Sequence, residues 1–147
     1  MVVVPNAAER FRAAVEARDL DAFDEVLAPD VTFHSPVKFS PFRGREVVKQ
    51  VLSLVMVVFE DFRYVGELDG SGSRADEGDV VPAEVLVFRA TVDGLAVHGI
   101  DMLHLGDDGL VEELTVMLRP LSAVQAMRDA MNRAMVEAGM ASASVLS

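Results

Sequence analysis

The sequence predicts an α+β fold in which helices dominate the first half of the chain and strands the second. Apolar residues recur at helical spacing near the start, whereas two alternating apolar segments joined by Asp93-Gly94 follow later. The 147 residues are 51% hydrophobic and 25% charged, which is typical of a compact domain. We therefore expect one domain over 1–147, with a core of about 7–120, a C-terminal helix of about 121–138 and a frayed tail over 139–147.

The start of the chain predicts two short helices, and Asp19 lies where it can cap the second. Their apolar stripes are Ala7, Phe11, Ala14 and Val15, then Leu20, Phe23, Val26 and Leu27. The segment PDVTFHSP predicts a strand that ends at Pro36, because proline has no N–H for a sheet. The next segment, VKFSPFRG, is irregular. A helix is then expected from Arg45 to about Val58, although β-branched residues weaken its intrinsic preference.

Four strands are expected next, arranged as an antiparallel meander. FEDFRYVGELDG predicts the first strand and DGSGSRADEGD a loop. VVPAEVLVFRATV and LAVHGIDMLHL predict a hairpin with a tight turn at Asp93-Gly94, and LVEELTVMLRP predicts the last strand, which ends at Pro120. A helix ending at Gly139 completes the fold, with Val124, Met127, Met131 and Met135 at helical spacing. This methionine stripe either packs in the core or forms a flexible lid over an apolar ligand.

Charge and residue usage exclude several classes of function. Twenty-four acidic and thirteen basic residues give a formal net charge of −11, which repels nucleic acid and anionic membranes. No cysteine occurs, and we expect neither a metal nor a cofactor. The start, MVVVPNAAERF, lacks the pattern of a signal peptide or anchor, and the apolar stretch 51–59 is far shorter than the roughly 20 residues of a membrane span. We expect a cytoplasmic protein.

Both faces of the last strands are apolar. Ala96, Ile100 and Met102 share one face, and Leu95, Val97, Leu103 and Leu105 share the other. If the helices cover one face, the other needs a partner. We therefore expect a homodimer formed through the outer face of the sheet.

Asp101 is an acid within the apolar segment HGIDMLHL. A carboxylate on a buried strand face costs several kcal/mol unless it is hydrogen-bonded, protonated or functional. It is therefore the first candidate for a functional residue, although a carboxylate satisfied by structural neighbours is the alternative.

Three segments resemble the cone-shaped α+β proteins related to nuclear transport factor 2, which include the SnoaL-like polyketide cyclases and ketosteroid isomerase. They are RDLDAFDEVLAPDVTFHSPV, FRGREVV and VHGIDMLHLGDDGLVEELTVMLRP, and the resemblance runs from about Glu9 to Arg119. It implies a cystatin-like fold, in which N-terminal helices pack on a curved, mostly antiparallel sheet that forms a cone around an internal cavity. This fold carries enzymes and binding modules alike.

Comparison with ketosteroid isomerase implies that Asp101 is a neutral acid that donates a hydrogen bond into the cavity. The positions of the isomerase's tyrosine and general base correspond to Phe11 and Ser35, and that of a supporting tyrosine to about Leu52. The resemblance to limonene epoxide hydrolase also lacks its partners, which would fall at Gly99 and near Val116. Neither activity is expected with its usual residues.

The resemblance and strand alternation together predict the wall of the cavity. Candidate catalytic residues are Asp101 and His34, and candidate ligand-binding residues are Phe11, Phe33, Ser35, Leu52, Val97, Gly99, Leu103, Leu114, Val116 and Leu118. Strict alternation turns His34 away from the cavity, whereas a bulge before Pro36 would turn it inward.

The remaining polar residues have structural interpretations. His98 and His104 share the face opposite Asp101 and lie about 20 Å apart, so we expect them at an interface or the surface. Glu112 and Glu113 point to opposite faces and are expected at a solvated edge. Tyr64 either donates a hydrogen bond into a pocket or occupies an exposed strand position.

Two functions follow from these residues. The first is a domain that binds a small apolar molecule, with Asp101 fixing its orientation. The alternative is an isomerase, cyclase or hydrolase acting on a small apolar carbonyl or polyketide-like substrate, with Asp101 as acid or oxyanion stabiliser and His34 as base. The missing base and tyrosine favour binding, because positioned acids and bases supply about 10²- to 10⁴-fold each.

Overall fold

A computed structural model describes residues 6–139 of the chain. Helix α1 spans Ala7–Ala17, and a 3-10 helix spans Asp21–Glu25. Strands β1 (Leu27–His34) and β2 (Phe42–Arg43) precede helix α2 (Arg45–Val58). The remaining elements are β3 (Glu60–Ser73), β4 (Val80–Val92), β5 (Leu95–Leu105), β6 (Val111–Arg119) and α3 (Leu121–Glu137). None of the helices between residues 6 and 139 is long and apolar enough to cross a membrane.

The strands form one six-stranded sheet in the order β2-β1-β6-β5-β4-β3. Strands β3 to β6 pair antiparallel with their sequence neighbours, as the predicted meander requires. Strand β1 adds to the other edge of β6 in parallel, with Phe33 opposite Leu114. The predicted α+β class, with a mostly antiparallel sheet, is confirmed.

The helices cover one face of the sheet, which we call the inner face. Helix α2 buries Val48, Val51 and Leu52 and packs against β1 and α3. The predicted helix over this β-branched segment is confirmed, because burial of an apolar face outweighs the small loss in intrinsic helix preference. Helix α1 begins at its cap Asn6, whose side chain accepts a 2.8 Å hydrogen bond from the backbone N–H of Glu9.

Several predicted elements differ from the structure. Leu27, predicted on the second helix, lies in β1, and the segment predicted as irregular contains β2. The second N-terminal helix is a 3-10 helix of five residues. The cap position is Leu20, which forms no side-chain cap, but Oδ1 of Asp19 just before it accepts hydrogen bonds from the backbone N–H groups of Asp21 and Ala22. Strand β3 continues to Ser73 through part of the predicted loop, because β4 supplies backbone partners as far as Val80 opposite Ser73. The predicted tail lies outside the described residues from position 140 onward.

The outer face of the central strands carries a row of apolar side chains. They are Val85, Val87, Ile100, Met102 and Met117, which lie opposite one another in register. Met117 is 51% exposed and the other four are half-buried. The homodimer expected through this face stays a prediction.

Candidate functional site

A pocket of about 420 Å³ lies between the three helices and the inner face of the sheet. Its wall is largely aromatic and aliphatic, and Asp101 is part of it. The aromatic residues that line it are Phe11, Phe33, Phe59, Phe62, Tyr64 and Phe88. An apolar wall with a few polar groups is typical of small-molecule sites.

Strand register explains why Asp101 faces this pocket. It pairs with Leu86 on β4 and Val116 on β6, and paired residues in antiparallel strands share a face. Leu86 is fully buried, and Val116 lines the pocket. The acid is therefore fixed on the inner face by an alternation that continues through buried Val97 and Leu103 on the same strand.

Tyr64 is the hydrogen-bond partner of Asp101. Its hydroxyl donates a 3.0 Å hydrogen bond to Asp101 Oδ2, and both residues are more than nine-tenths buried by the surrounding chain. Burial raises the pKa of Asp101 to about 7, although the hydrogen bond from Tyr64 opposes this shift. Burial also raises the pKa of Tyr64 well above its usual value, and the neighbouring Asp101 carboxyl adds to this effect. Tyr64 is therefore a neutral hydrogen-bond donor throughout the physiological range.

The pair gives the pocket two kinds of hydrogen bond. Below about pH 7 the carboxyl of Asp101 is neutral and can donate a proton in a hydrogen bond to a ligand oxygen. Above that pH the carboxylate is an acceptor. Because the surrounding wall is apolar, each such bond is stronger than the same bond in water.

The aromatic residues around the pair form one packed cluster. The ring of Phe62 lies 4.8 Å from that of Phe88 and 5.0 Å from that of Tyr64, and Phe59 lies 5.5 Å from Phe88. These are ordinary spacings for tilted and edge-to-face rings. The cluster holds the Tyr64 ring in place and keeps its hydroxyl directed at Asp101.

Gly99 makes this arrangement possible without lining the pocket. It pairs with Phe88 on one side and Leu118 on the other. A Cβ atom at this position would lie 2.7 Å from Cε2 of Phe88 and 2.8 Å from Cδ2 of Leu118, both closer than atoms can pack. The absence of a side chain therefore lets the Phe88 ring lie across β5.

The structure brings six of the predicted site residues to the pocket: Asp101, Phe11, Phe33, Leu52, Val116 and Leu118. Val97, Leu103 and Leu114 share the inner face but are packed in the core, at 2% exposure or less. Ser35 is in neither set, because its hydroxyl accepts hydrogen bonds from the backbone of Val37 and Lys38 in the following loop.

His34 lies on the outer face, away from the pocket. Its Nε2 is 3.0 Å from Oε1 of Glu113, and the other oxygen of Glu113 accepts a hydrogen bond from the backbone N–H of Ala75. Strict alternation therefore holds to the end of β1, and the bulge that would turn His34 inward is absent at this point of the strand, where it pairs with Thr115. This position removes His34 from the reach of a ligand in the pocket.

Two of the expectations for the outer face are wrong. His104 is only 3% exposed and Glu113 only 7%, although we expected a surface or interface position for the first and a solvated edge for the second. The segment after β3 covers Glu113, since Ala75 bonds to Glu113 and Arg74 pairs with the adjacent Glu112. His104 lies beside Glu113, with its Nδ1 3.7 Å from Oε2 of that residue. Sequence alternation assigns a face to each residue but does not show that a loop folds over that face.

Sequence reasoning missed much of the pocket wall on α1 and β3. Arg12 and Glu16 line it from the first helix, Arg18 from the position just after that helix, and Arg63 from the third strand. On β3 the register shifts twice, between Glu60 and Arg63 and again after Tyr64, so simple alternation fails there. The usable signal was the dense aromatic content of FEDFRY.

The described residues include one group of carboxylates at metal-ligand spacing, outside the pocket. Oxygens of Glu67, Asp69 and Glu84 lie within 4.8 Å of one another. Burial raises the pKa of Glu84, and the neighbouring Asp69 adds to this shift. Two of the three residues are exposed, and exposed acidic groups of this kind are common without a metal. No metal is assigned to them.

Comparison with known proteins identifies the fold and the family. A family model described as the SnoaL-like domain matches residues 8–114. No curated protein matches the sequence. A structure described as a steroid delta-isomerase, from Pseudomonas aeruginosa, is 33% identical over 96% of this chain and 99% of its own, with a TM-score of 0.79.

Two further structures have the same fold. An uncharacterised bacterial protein with a cystatin-like fold, from Silicibacter pomeroyi, is 32% identical over 88% of this chain and 85% of its own, with a TM-score of 0.76. A SnoaL-like protein of unknown function from Burkholderia thailandensis is 19% identical over 77% of this chain and 92% of its own, with a TM-score of 0.58. The predicted cone-shaped, cystatin-like architecture is confirmed. Because the family model spans most of the chain and two structures share about a third of its residues, the chain belongs to the SnoaL-like family.

Proposed function

We propose that this protein binds a small, largely apolar molecule with an oxygen atom that accepts a hydrogen bond from Asp101. The observation that carries the proposal is the Tyr64–Asp101 pair within an aromatic pocket of about 420 Å³. A buried carboxyl with a pKa near 7 is costly to a protein that uses it only for packing, whereas a neutral carboxyl is a good donor to a carbonyl oxygen.

The orientation of the pair supports a carbonyl ligand. Tyr64 donates to Oδ2 of Asp101, so the other carboxyl oxygen carries the proton and is the one available to a ligand. The apolar rings around it bury the rest of the molecule, at about 25 cal/mol per Å² of apolar surface removed from water. Hydrogen bonding then sets the orientation, and apolar burial supplies most of the affinity.

The test uses 2-acetylnaphthalene as a neutral aromatic ketone, with binding measured by titration calorimetry at about pH 6. Asp101→Asn keeps a donor of similar shape and is expected to retain binding, whereas Asp101→Leu is expected to lose about 10-fold through the missing hydrogen bond. His34→Gln is the matched control on the outer face and should bind as the unchanged protein does. No binding by the unchanged protein, or equal binding by Asp101→Leu, would reject the proposal.

The second candidate is an enzyme that stabilises an oxyanion formed from a carbonyl. It is favoured by the identity of 33% to a protein described as a steroid delta-isomerase and by a tyrosine and a neutral acid side by side. It is opposed by Phe11, which lines the pocket without a hydroxyl, and by Ser35, which lies outside it. A carbon-bound proton also needs a base, and Glu16 on the wall is already paired with Arg12.

An activity assay separates the two candidates. Isomerisation of 5-androstene-3,17-dione is followed by the absorbance of the conjugated enone that forms. An enzyme should convert the steroid well above the uncatalysed rate, and Asp101→Leu should abolish the difference. Binding of the steroid without any turnover favours the ligand-binding function.

A further inference from the structure

The wall of the pocket carries a local excess of positive charge. Arg12, Arg18 and Arg63 line it, together with Glu16 and the buried Asp101. The chain as a whole has the opposite balance, with a formal net charge of −11. The electrostatic field of such an acidic protein repels anions. A group of arginines at the opening of the pocket opposes this repulsion locally and favours an anionic ligand there.

The exposure of these arginines places them at the mouth. Arg18 and Arg63 are exposed, and Arg12 is half-buried. Asp101 and Tyr64, by contrast, are buried in the wall of the same pocket. A ligand that reaches Asp101 therefore presents its opposite end to the arginines.

Two of the three charges are available to a ligand. Arg12 is occupied, since it pairs with Glu16 and its guanidinium lies 5.5 Å from the centre of the Tyr64 ring. Within residues 6–139, neither Arg18 nor Arg63 forms an ion pair with an acidic side chain. Among the described residues, Arg63 donates one side-chain hydrogen bond, from Nη1 to the backbone oxygen of Asp61.

Resting on the ligand-binding function proposed above, we propose that the ligand is an organic acid: its apolar body fills the aromatic pocket, its carbonyl oxygen meets Asp101, and its carboxylate meets Arg18 and Arg63 at the mouth. The flat guanidinium group offers paired N–H donors that match the two oxygens of a carboxylate. Arg12 remains paired with Glu16 and packed on the Tyr64 ring, so it is not one of the arginines that bind the carboxylate.

A matched pair of probes tests the charged end alone. 6-Acetyl-2-naphthoate and 6-acetyl-2-naphthamide differ only in the carboxylate, and 2-acetylnaphthalene lacks the group altogether. We expect the carboxylate to bind at least about 10-fold more tightly than the amide, as a charge-assisted pair of hydrogen bonds provides. Raising the salt concentration should weaken binding of the carboxylate only.

The matched variants remove the arginine charges. In Arg18→Gln/Arg63→Gln the affinity for the carboxylate should fall to about that for the amide, so that the preference between the two probes falls to about 1-fold. Arg128→Gln removes an exposed arginine of α3 that pairs locally with Asp129, so it should keep the full preference.

The outcomes separate this inference from the function on which it rests. If the amide or 2-acetylnaphthalene binds as tightly as the carboxylate, the organic-acid ligand is wrong and the apolar binding function stands. A preference that survives in the double variant overturns the role of Arg18 and Arg63. If none of the three probes binds, the binding function itself fails.

Discussion

The hydroxyl of Tyr64 on β3 reaches across β4 and donates a 3.0 Å hydrogen bond to Oδ2 of Asp101 on β5. The contact joins two strands that do not pair with each other, and the Phe88 ring between them lies over Gly99. The backbone therefore makes room for this polar contact within the aromatic wall. The pKa of Asp101 depends on the hydroxyl of Tyr64, and the pKa of Tyr64 depends on the Asp101 carboxyl.

Removal of the tyrosine hydroxyl should raise the pKa of Asp101 further. The hydrogen bond from Tyr64 stabilises the charged carboxylate and so lowers the pKa against the larger effect of burial. Tyr64→Phe keeps the ring, which packs 5.0 Å from that of Phe62. Carbon-detected NMR titration of the Asp101 carboxyl measures the pKa directly, and an unchanged or lower pKa would contradict this account.

Asp101 should make the protein less stable as the pH rises. Its pKa is raised from 3.8 to about 7 in the folded state, so its contribution is fully present below pH 3.8 and is lost as the pH rises through about 7. Asp101→Asn has no proton to lose. Between about pH 5.5 and 8.5, the free energy of unfolding of the variant should therefore rise by about 2 kcal/mol relative to the unchanged protein.

Urea unfolding at the two pH values measures this difference. Asp107→Asn is the matched control, since Asp107 is an exposed acid in the turn between β5 and β6. A pH-dependent difference of the same size in Asp107→Asn would show that the effect does not come from the burial of Asp101. An Asp101→Asn difference that is constant with pH would mean that Asp101 titrates as an ordinary carboxyl group.

Most of the fold was predictable because the spacing of apolar residues and the residue types at the turns agree with the way the elements pack. The limits of β4 and β5 follow from alternation and from Asp93-Gly94, and the start of α2 follows from Gly44 and Arg45. The parallel pairing of β1 with β6 was not predictable in this way. It depends on α2 carrying the chain from β2 at one edge of the sheet to β3 at the other, so that the meander ends beside β1, and no local pattern encodes this.

The site was predictable only where regular alternation holds. Asp101, Val116 and Leu118 are on strands with continuous register, and all three line the pocket. Strand β3 has two register shifts and a positive φ of 51° at Asp61, so counting by twos along it fails. For this reason the sequence leaves two interpretations open for Tyr64, and only the structure shows its hydrogen bond with Asp101.

A methyl group at Gly99 should destabilise the protein. Gly99→Ala would force the new Cβ against the Phe88 ring and Leu118, and overpacking of this kind typically costs about 1–3 kcal/mol. Gly70→Ala is the control, because a Cβ there meets no atom within 4 Å. Thermal unfolding of both variants measures the difference.

A second change should relieve the overlap. Phe88→Leu shortens the side chain that meets the new methyl group, so Gly99→Ala/Phe88→Leu should lose less stability than the two single changes together. Strict additivity of the two losses would show that Phe88 is not the source of the strain. Equal stability of Gly99→Ala and Gly70→Ala would show that no strain exists.

Glu113 should anchor the segment after β3 from the outer face of the sheet. It is 7% exposed, and its two oxygens meet Nε2 of His34 and the backbone N–H of Ala75, each at 3.0 Å. Glu113→Ala leaves both groups without this partner, which typically costs about 1–3 kcal/mol. Hydrogen exchange at the Ala75 amide should accelerate, because its acceptor is gone.

Glu112→Ala is the matched control for the anchor. Glu112 pairs with Arg74 at a partly exposed site, and such a pair contributes about 0–1 kcal/mol, so exchange at Ala75 should change little. Neither variant should alter binding of 2-acetylnaphthalene, because His34 and Glu113 lie on the face away from the pocket. Loss of ketone binding in Glu113→Ala, with the protein still folded, would connect the outer face to the pocket. His34 would then regain a place in the binding function, acting through Glu113 and the segment that it holds.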